Sequence, residues 1–285
     1  MKRTRAFTLV ELLVVVAIIS LLVTILVPTL TRARDLARRA TCAANLSAVG
    51  KAVSIYMTGD APAGRGPSVG NNTNARWDAI GAKRTEAYNP ANSTAQCPSR
   101  DWWMLVVQNM VQSAAFLCTA VPGVMSPTGV NADGTPWEDF KADLSTDAMP
   151  KPRGLTYSLQ LQRKGPGYKY AIGAADSSSL VIAADRSPIA TAWEAFDGGG
   201  KVKTPDSALK TLNSASHGQE QGVNAGQNVL CKDASAKWAS TPRAGVDGDN
   251  IWTASLNDTA QPDGADVTYD ATQFPYNRND TLLAP

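Results

Sequence analysis

One segment near the amino end constrains this chain more than any other. Residues 7–30 are almost wholly apolar, with one carboxylate, Glu11, near the start and one proline, Pro28, near the end. As a helix rising about 1.5 Å per residue they would reach roughly 36 Å. A hydrocarbon core is about 30 Å thick, so such a helix crosses it with some tilt. A secretory signal peptide is the rival reading. Its apolar region is usually about 7–15 residues and ends at a small-residue cleavage site. Here the run is longer, carries an acid early, and passes through Val27-Pro28-Thr29 into more helical sequence. A charge inside hydrocarbon costs about 2.5–3.5 kcal/mol even on lenient scales, so Glu11 calls for a partner.

Charge alone does not orient the segment. Lys2, Arg3 and Arg5 precede it; Arg32, Arg34, Arg38 and Arg39 follow it, offset by Asp35. The positive-inside count is close to a tie.

Helical periodicity continues beyond the apolar run. Leu36, Ala40, Ala43, Leu46, Val49, Val53 and Tyr56 recur every three or four residues and draw one stripe. Arg32, Arg34, Arg38, Arg39, Asn45, Ser47 and Lys51 occupy other faces, and Gly59-Asp60-Ala61-Pro62 supplies a stop. The spacing predicts one long helix from Phe7 to about Met57, kinked near Pro28. Its second half should carry a domain on the stripe. The arginines either meet anionic headgroups or form a solvated face.

The composition changes from Ala61 onward. Asp101 to Leu117 reads as a short helix leading toward a strand, and 121–152 is rich in loop formers. Strand candidates are Leu155 to Leu161, Tyr168 to Gly173, Leu180 to Ala184, Asn228 to Lys232 and Ser235 to Ala239. Short strands between turn signals predict an antiparallel sheet with long loops. A helix followed by strands is the α+β class.

The string Phe7-Thr8-Leu9-Val10-Glu11-Leu12-Leu13 resembles the amino-terminal signature of type IV pilins and type II secretion pseudopilins. The resemblance implies a leader at 1–6, removed between Ala6 and Phe7 by a membrane prepilin peptidase, and methylation of the new Phe7 amine. Ala6 departs from the usual Gly before the cut. Glu11 falls at the family's acidic position and Pro28 at its helix-kinking proline. The implied organisation is a transmembrane and assembly helix at 7–30, an amphipathic continuation at 31–57, and an extracytoplasmic α+β domain at 58–285. The implied orientation puts the amino terminus in the cytoplasm, the helix in the inner membrane, and the domain in the periplasm or outside the cell. The implied partners are other pilin or pseudopilin subunits, the prepilin peptidase, the assembly platform and membrane lipid. The implied role is structural, in a pilus or secretion pseudopilus. A size beyond that of a small major pilin suggests a minor or specialised subunit. The alternative is a membrane-anchored binding module that uses the helix only as an anchor.

A second resemblance lies toward the carboxyl end. His217, then Asn228-Val229-Leu230 and Asp233, is similar to a His…Asn-Val-Leu…Asp-Gly pattern of large pilin-like proteins abundant in planctomycete-type bacteria. The gap is longer here, and Ala234 stands in place of the Gly. Thr41 to Leu46 and Phe116-Leu117-Cys118 also look like that group.

Cys42, Cys97, Cys118 and Cys231 form no C-x-x-C pair, which argues against a zinc site by spacing. In an oxidising compartment they are disulfide candidates, with Cys118 meeting Cys97 or Cys42; buried free thiols are the alternative. Catalysis has little support. The single histidine, His217, must serve any triad, and a structural role suits it better. Gly66-Pro67-Ser68-Val69-Gly70 matches the nucleophile-elbow pattern but lacks the strand and helix around it. Major pseudopilins carry calcium in a carboxy-terminal loop, and Asp247-Gly248-Asp249-Asn250 with Asp258, Asp263 and Asp266 offers oxygen ligands. The EF-hand glutamate is missing, and solvated acidic turns explain the same residues. No other cofactor is expected. A net charge of +2 and no basic–aromatic stripe in the soluble part predict no nucleic-acid partner.

Overall fold

The structure is a computed structural model. It describes residues 8–59, 64–67, 98–121, 140, 142–143, 151–152, 154–160, 163–165, 168–170, 172–187, 213–214, 216–217, 219–220, 223–252, 281 and 283–284.

Helix α1 (Leu9–Gly59) is one element of 51 residues, about 76 Å long at the usual helical rise. Thr8 and Glu11 start it. The Thr8 N–H and hydroxyl both donate to Glu11 Oε2 at 2.8 Å, and the Glu11 N–H donates to Thr8 Oγ1 at 3.3 Å. This reciprocal capping box satisfies donors a helix start otherwise leaves open. Pro28 has no N–H to give the helix ladder, yet α1 runs through it without a break. Thr24, Thr29 and Thr31 turn their hydroxyls back onto the carbonyls of Ser20, Leu26 and Val27 at 2.7, 2.8 and 3.0 Å.

The helix has two halves. Side chains 8–34 are all exposed. Burial begins at Cys42 and recurs at Leu46, Val49, Val53 and Tyr56, the three-to-four-residue spacing of one face. The buried stripe therefore differs from the expected one at its start: Leu36 is 62% exposed and Ala40 is exposed too. The sheet domain reaches back along α1 only to Arg39, and Leu36 and Ala40 lie outside the surface it covers.

Helix α2 (Pro98–Val107) is shorter than the expected span of 101–117. Asn109 takes a φ of 57°, the Met110 N–H bonds the Leu105 carbonyl, and the Asn109 N–H bonds the Val106 carbonyl. That is a Schellman stop, with asparagine in the left-handed position glycine usually fills. A 3-10 turn, Ser113–Phe116, follows, and Phe116 and Trp103 each meet the Phe140 ring edge-on at 4.8 Å.

Among the described residues, eleven short strands follow in chain order. Ala142–Asp143 (β1) pairs Lys151–Pro152 (β2). Tyr157–Gln160 (β3) precedes a small hairpin of Arg163–Gly165 (β4) and Tyr168–Tyr170 (β5). Val181–Asp185 (β6) is followed by a second small hairpin, Gln219–Glu220 (β7) with Val223–Asn224 (β8). Gln227–Cys231 (β9), Ala236–Ala239 (β10) and Leu283–Ala284 (β11) complete the set. The main sheet has the order β10-β9-β6-β3-β11, antiparallel at every pairing. The architecture is α+β, as the order of elements implied. Several details differ from expectation: the β1–β2 pair lies in the 121–152 stretch read as loop, and β4, β7 and β8 were not among the strand candidates. The Tyr168 strand pairs with β4 instead of joining the main sheet, and β11 closes an edge that its sequence did not mark.

The β9–β10 turn is where sheet and helix meet most closely. A Cβ on Gly50 would lie 2.7 Å from Leu230 Cδ1 and 2.8 Å from the Ala234 Cα, so only glycine allows this approach. Ser47 Oγ donates to the Ala234 carbonyl at 3.0 Å from the same helical face.

Candidate functional site

Two places carry the chemistry of this chain. The first is the exposed start of α1. Its apolar side chains, from Leu9 to Leu30, have no cover within the protein, and the helix is long and apolar enough to cross a membrane. Ala6 and Phe7 lie outside the described residues. Glu11 sits one turn into the helix, bonded to Thr8, with its other oxygen available to a second donor. Thr8 was not singled out by sequence reasoning; the T-x-x-E spacing at Thr8–Glu11 was the signal that could have found it.

The second is a buried polar cluster between α1 and the sheet. Asp185 ends β6 and Asn228 lies second in β9, at the same end of the sheet. Neither Asp185 nor His217 is more than 2% exposed. His217 Nε2 lies 3.2 Å from Asp185 Oδ2, 3.6 Å from Cys118 Sγ and 3.4 Å from Asn228 Nδ2. A carboxylate only accepts, so Nε2 is assigned the proton it gives to Asp185. Asp185 Oδ2 also accepts the Asn228 N–H at 2.5 Å, while Oδ1 is buried with no hydrogen bond. Asn228 Nδ2 donates to the Arg39 carbonyl at 3.3 Å, and Arg39 Nη2 to the His217 carbonyl at 3.4 Å. The Arg39 guanidinium lies 4.1 Å above the Trp238 ring, a cation–π contact that covers the cluster. Tyr157, opposite Asp185 in the β3–β6 register, donates its hydroxyl to the Cys42 carbonyl at 3.4 Å. Burial first, and the Asp185 charge second, push the Tyr157 phenol far above its ordinary range, so it stays protonated.

Cys42 on α1 and Cys118 after the 3-10 turn form a disulfide with Cα atoms 5.4 Å apart. Cys97 lies outside the described residues. Cys231, the remaining disulfide candidate, is instead a buried free thiol. Cysteine, histidine and aspartate thus come together as in a Cys-His-Asp nucleophile site. Here the sulfur is bonded to Cys42, so it has no thiolate to offer a substrate.

The structure separates the other sequence candidates. His217 and Asn228 meet, but Asp233 lies exposed in the β9–β10 turn, where Oδ1 accepts the Ser235 N–H and hydroxyl. The partner of His217 is Asp185, one residue past the expected strand Leu180 to Ala184. Sequence reasoning missed it because nothing local distinguishes an acid that ends a strand. Among the calcium candidates, Asp247 is exposed, and Asp249 is buried with Oδ2 accepting the Thr281 N–H at 2.8 Å. That bond anchors the chain leading into β11. Asp258, like Ser68 of the elbow-like string, lies outside the described residues.

A helix bare and apolar in its first half, and packed on an antiparallel sheet in its second, defines an α+β protein whose amino end is consistent with membrane anchoring. Residues 1–27 match the family model described as the prokaryotic N-terminal methylation motif, the signal of type IV pilins and pseudopilins. In this segment the chain is similar to the signal that pilin-like precursors present to prepilin peptidase. No curated protein and no solved structure matches the chain.

Proposed function

We propose that this chain is a structural, non-enzymatic filament subunit. Prepilin peptidase cuts it between Ala6 and Phe7, and the Phe7 amine is methylated. The mature subunit assembles through α1 into a type IV pilus or a type II secretion pseudopilus, as a minor or specialised member. Its amino terminus begins in the cytoplasm, α1 crosses the inner membrane, and residues 58–285 lie on the far side. The methylation motif at 1–27 supports processing. The observation that carries assembly is the division of α1: residues 8–34 are exposed on every face, while the sheet domain is seated only from Arg39 onward. A surface that apolar is covered by lipid before assembly and by neighbouring helices after it. The Cys42–Cys118 disulfide fits an oxidising, extracytoplasmic domain.

Two measurements test this reading. Mass spectrometry of the mature amino terminus should find N-methylated Phe7; an intact Met1 or a cut near residue 30 overturns processing. Filaments sheared from cells should contain the chain. Recovery in the membrane fraction alone overturns assembly and leaves an anchor.

A further inference from the structure

The buried cluster holds a second arrangement of the same atoms. Cys42, Cys118, Asp185 and His217 each present one ligand atom, and the four atoms all lie within 4.8 Å of one another. They come from α1, the segment after the 3-10 turn, the end of β6 and the loop before β7, so no local spacing announces them. We propose that in the dithiol form of the protein these four side chains bind one zinc-class divalent ion, and that the metal and the disulfide are alternative states of one site.

The geometry matches the chemistry. Tetrahedral zinc holds sulfur at about 2.3 Å and imidazole nitrogen or carboxylate oxygen at about 2.0–2.1 Å, so a sulfur–nitrogen edge is about 3.6 Å and a nitrogen–oxygen edge about 3.3 Å. His217 Nε2 lies 3.6 Å from Cys118 Sγ and 3.2 Å from Asp185 Oδ2. A second observation is independent of those distances. Asp185 Oδ1 is fully buried and has no hydrogen bond, so the carboxylate is under-compensated where it sits, and an ion on the neighbouring Oδ2 would offset its charge. Outer contacts are also in place. The Asn228 N–H holds Asp185 Oδ2, as ligating carboxylates are commonly held. Two thiolates and one carboxylate around a divalent ion leave one net negative charge, and the Arg39 guanidinium beside the cluster opposes it.

The exchange balances. An external dithiol gives two electrons and two protons to the Cys42–Cys118 bond and becomes a disulfide itself. The two new thiols then release their protons as they bind the ion through sulfur, and His217 gives up its Nε2 proton and takes one at Nδ1, so the Nε2 lone pair faces the ion with no net proton change at the imidazole. For the ion to fit, the sulfurs separate to about 3.8 Å, which side-chain rotation at two cysteines supplies.

The test uses the full chain in detergent, oxidised and reduced in parallel, with zinc or cobalt(II) as the probe. The reduced protein should bind one ion per chain and show the tetrahedral cobalt spectrum with thiolate charge transfer; the oxidised protein should bind none. In the wild type, zinc should slow alkylation of Cys42 and Cys118 by about tenfold or more while leaving Cys231 unchanged. His217→Gln and Asp185→Asn should weaken binding by about tenfold or more. Equal binding by the oxidised protein, an octahedral cobalt spectrum, or no protection of Cys42 and Cys118 in the wild type would each overturn the proposal. The alkylation readout needs no variant, so it stands even if the substitutions unfold the domain.

Discussion

Ala234 has a φ of 65°, in the left-handed region that ordinarily favours glycine. The Cys231 N–H bonds the Ser235 carbonyl, and the Ala234 N–H bonds the Cys231 carbonyl. This is the three-residue hairpin loop whose last residue is left-handed and ordinarily Gly. The hairpin keeps the shape the motif demands and accepts alanine's strain. Ala234→Gly should raise stability by about 0.5 kcal/mol, the relief of the left-handed penalty less glycine's added chain entropy, as measured by chemical denaturation. His217 shows the opposite sensitivity. Removing it leaves Asp185 as a buried charge without its partner, so His217→Ala should cost about 3 kcal/mol in the same measurement. Asp233 adds a pH effect. Hydrogen bonds from Ser235, side chain first, lower its carboxyl below the ordinary carboxylate range. Its contribution to stability is therefore complete above the ordinary Asp pKa and is lost as pH falls through the lower folded value. In acid titrations of stability, Asp233→Asn should remove a small part of the loss in that window. An unchanged curve would show that the Ser235 bonds carry no net stability.

At the scale of elements, the long helix and the central strands were legible because their patterns are local. The apolar run, the later stripe and the turn residues around β3, β6, β9 and β10 each announce a period. The end of α2 was not, because an Asn-Met pair closes a helix as well as Gly does only when its backbone bonds back to Val106 and Leu105. The two-residue β11 was not legible either. Its pairing depends on Asp249 holding the Thr281 N–H and on the Leu283 N–H bonding the Ile251 carbonyl, contacts between segments distant in sequence. The contact between α1 and the β9–β10 turn belongs to this scale. Gly50→Ala should destabilise the seating of the domain by about 2 kcal/mol, since the added methyl meets Leu230 and the Ala234 backbone. Thermal unfolding of the sheet domain reads this directly.

For the whole molecule, the informative contrast is between the two ends of α1. The lower half is tied into the sheet domain by the Cys42–Cys118 disulfide, Ser47 and Asn45, whose side-chain amide donates to the Leu117 carbonyl at 3.0 Å. The upper half carries Glu11 in a capping box with Thr8 and no contact with the described sheet domain. In a filament of staggered helices, the Glu11 carboxylate of one subunit would meet the Phe7 amine of the next, an attraction of several kcal/mol at about 4 Å in a poorly solvated setting. Glu11→Ala should therefore leave the protein in the membrane and reduce its incorporation into sheared filaments severalfold or more. Normal incorporation would remove this contact from the assembly. The capping box occupies Oε2 of Glu11 and leaves Oε1 for the neighbour's amine, so the new contact adds to the Thr8 bonds instead of replacing them.

The sequence by itself determined the long helix, its membrane-suited half, the methylation motif and the α+β order of elements. Each of these depends on residues close together in the chain, where periodicity and spacing suffice. Only the tertiary structure decided that the buried stripe starts at Cys42, that Cys118 is the partner of Cys42, and that His217 meets Asp185 and Asn228 beneath Arg39 and Trp238. Those contacts join residues far apart in the chain. They exist because packing an apolar helix face against a sheet brings their backbones together and leaves their polar atoms only one another to satisfy.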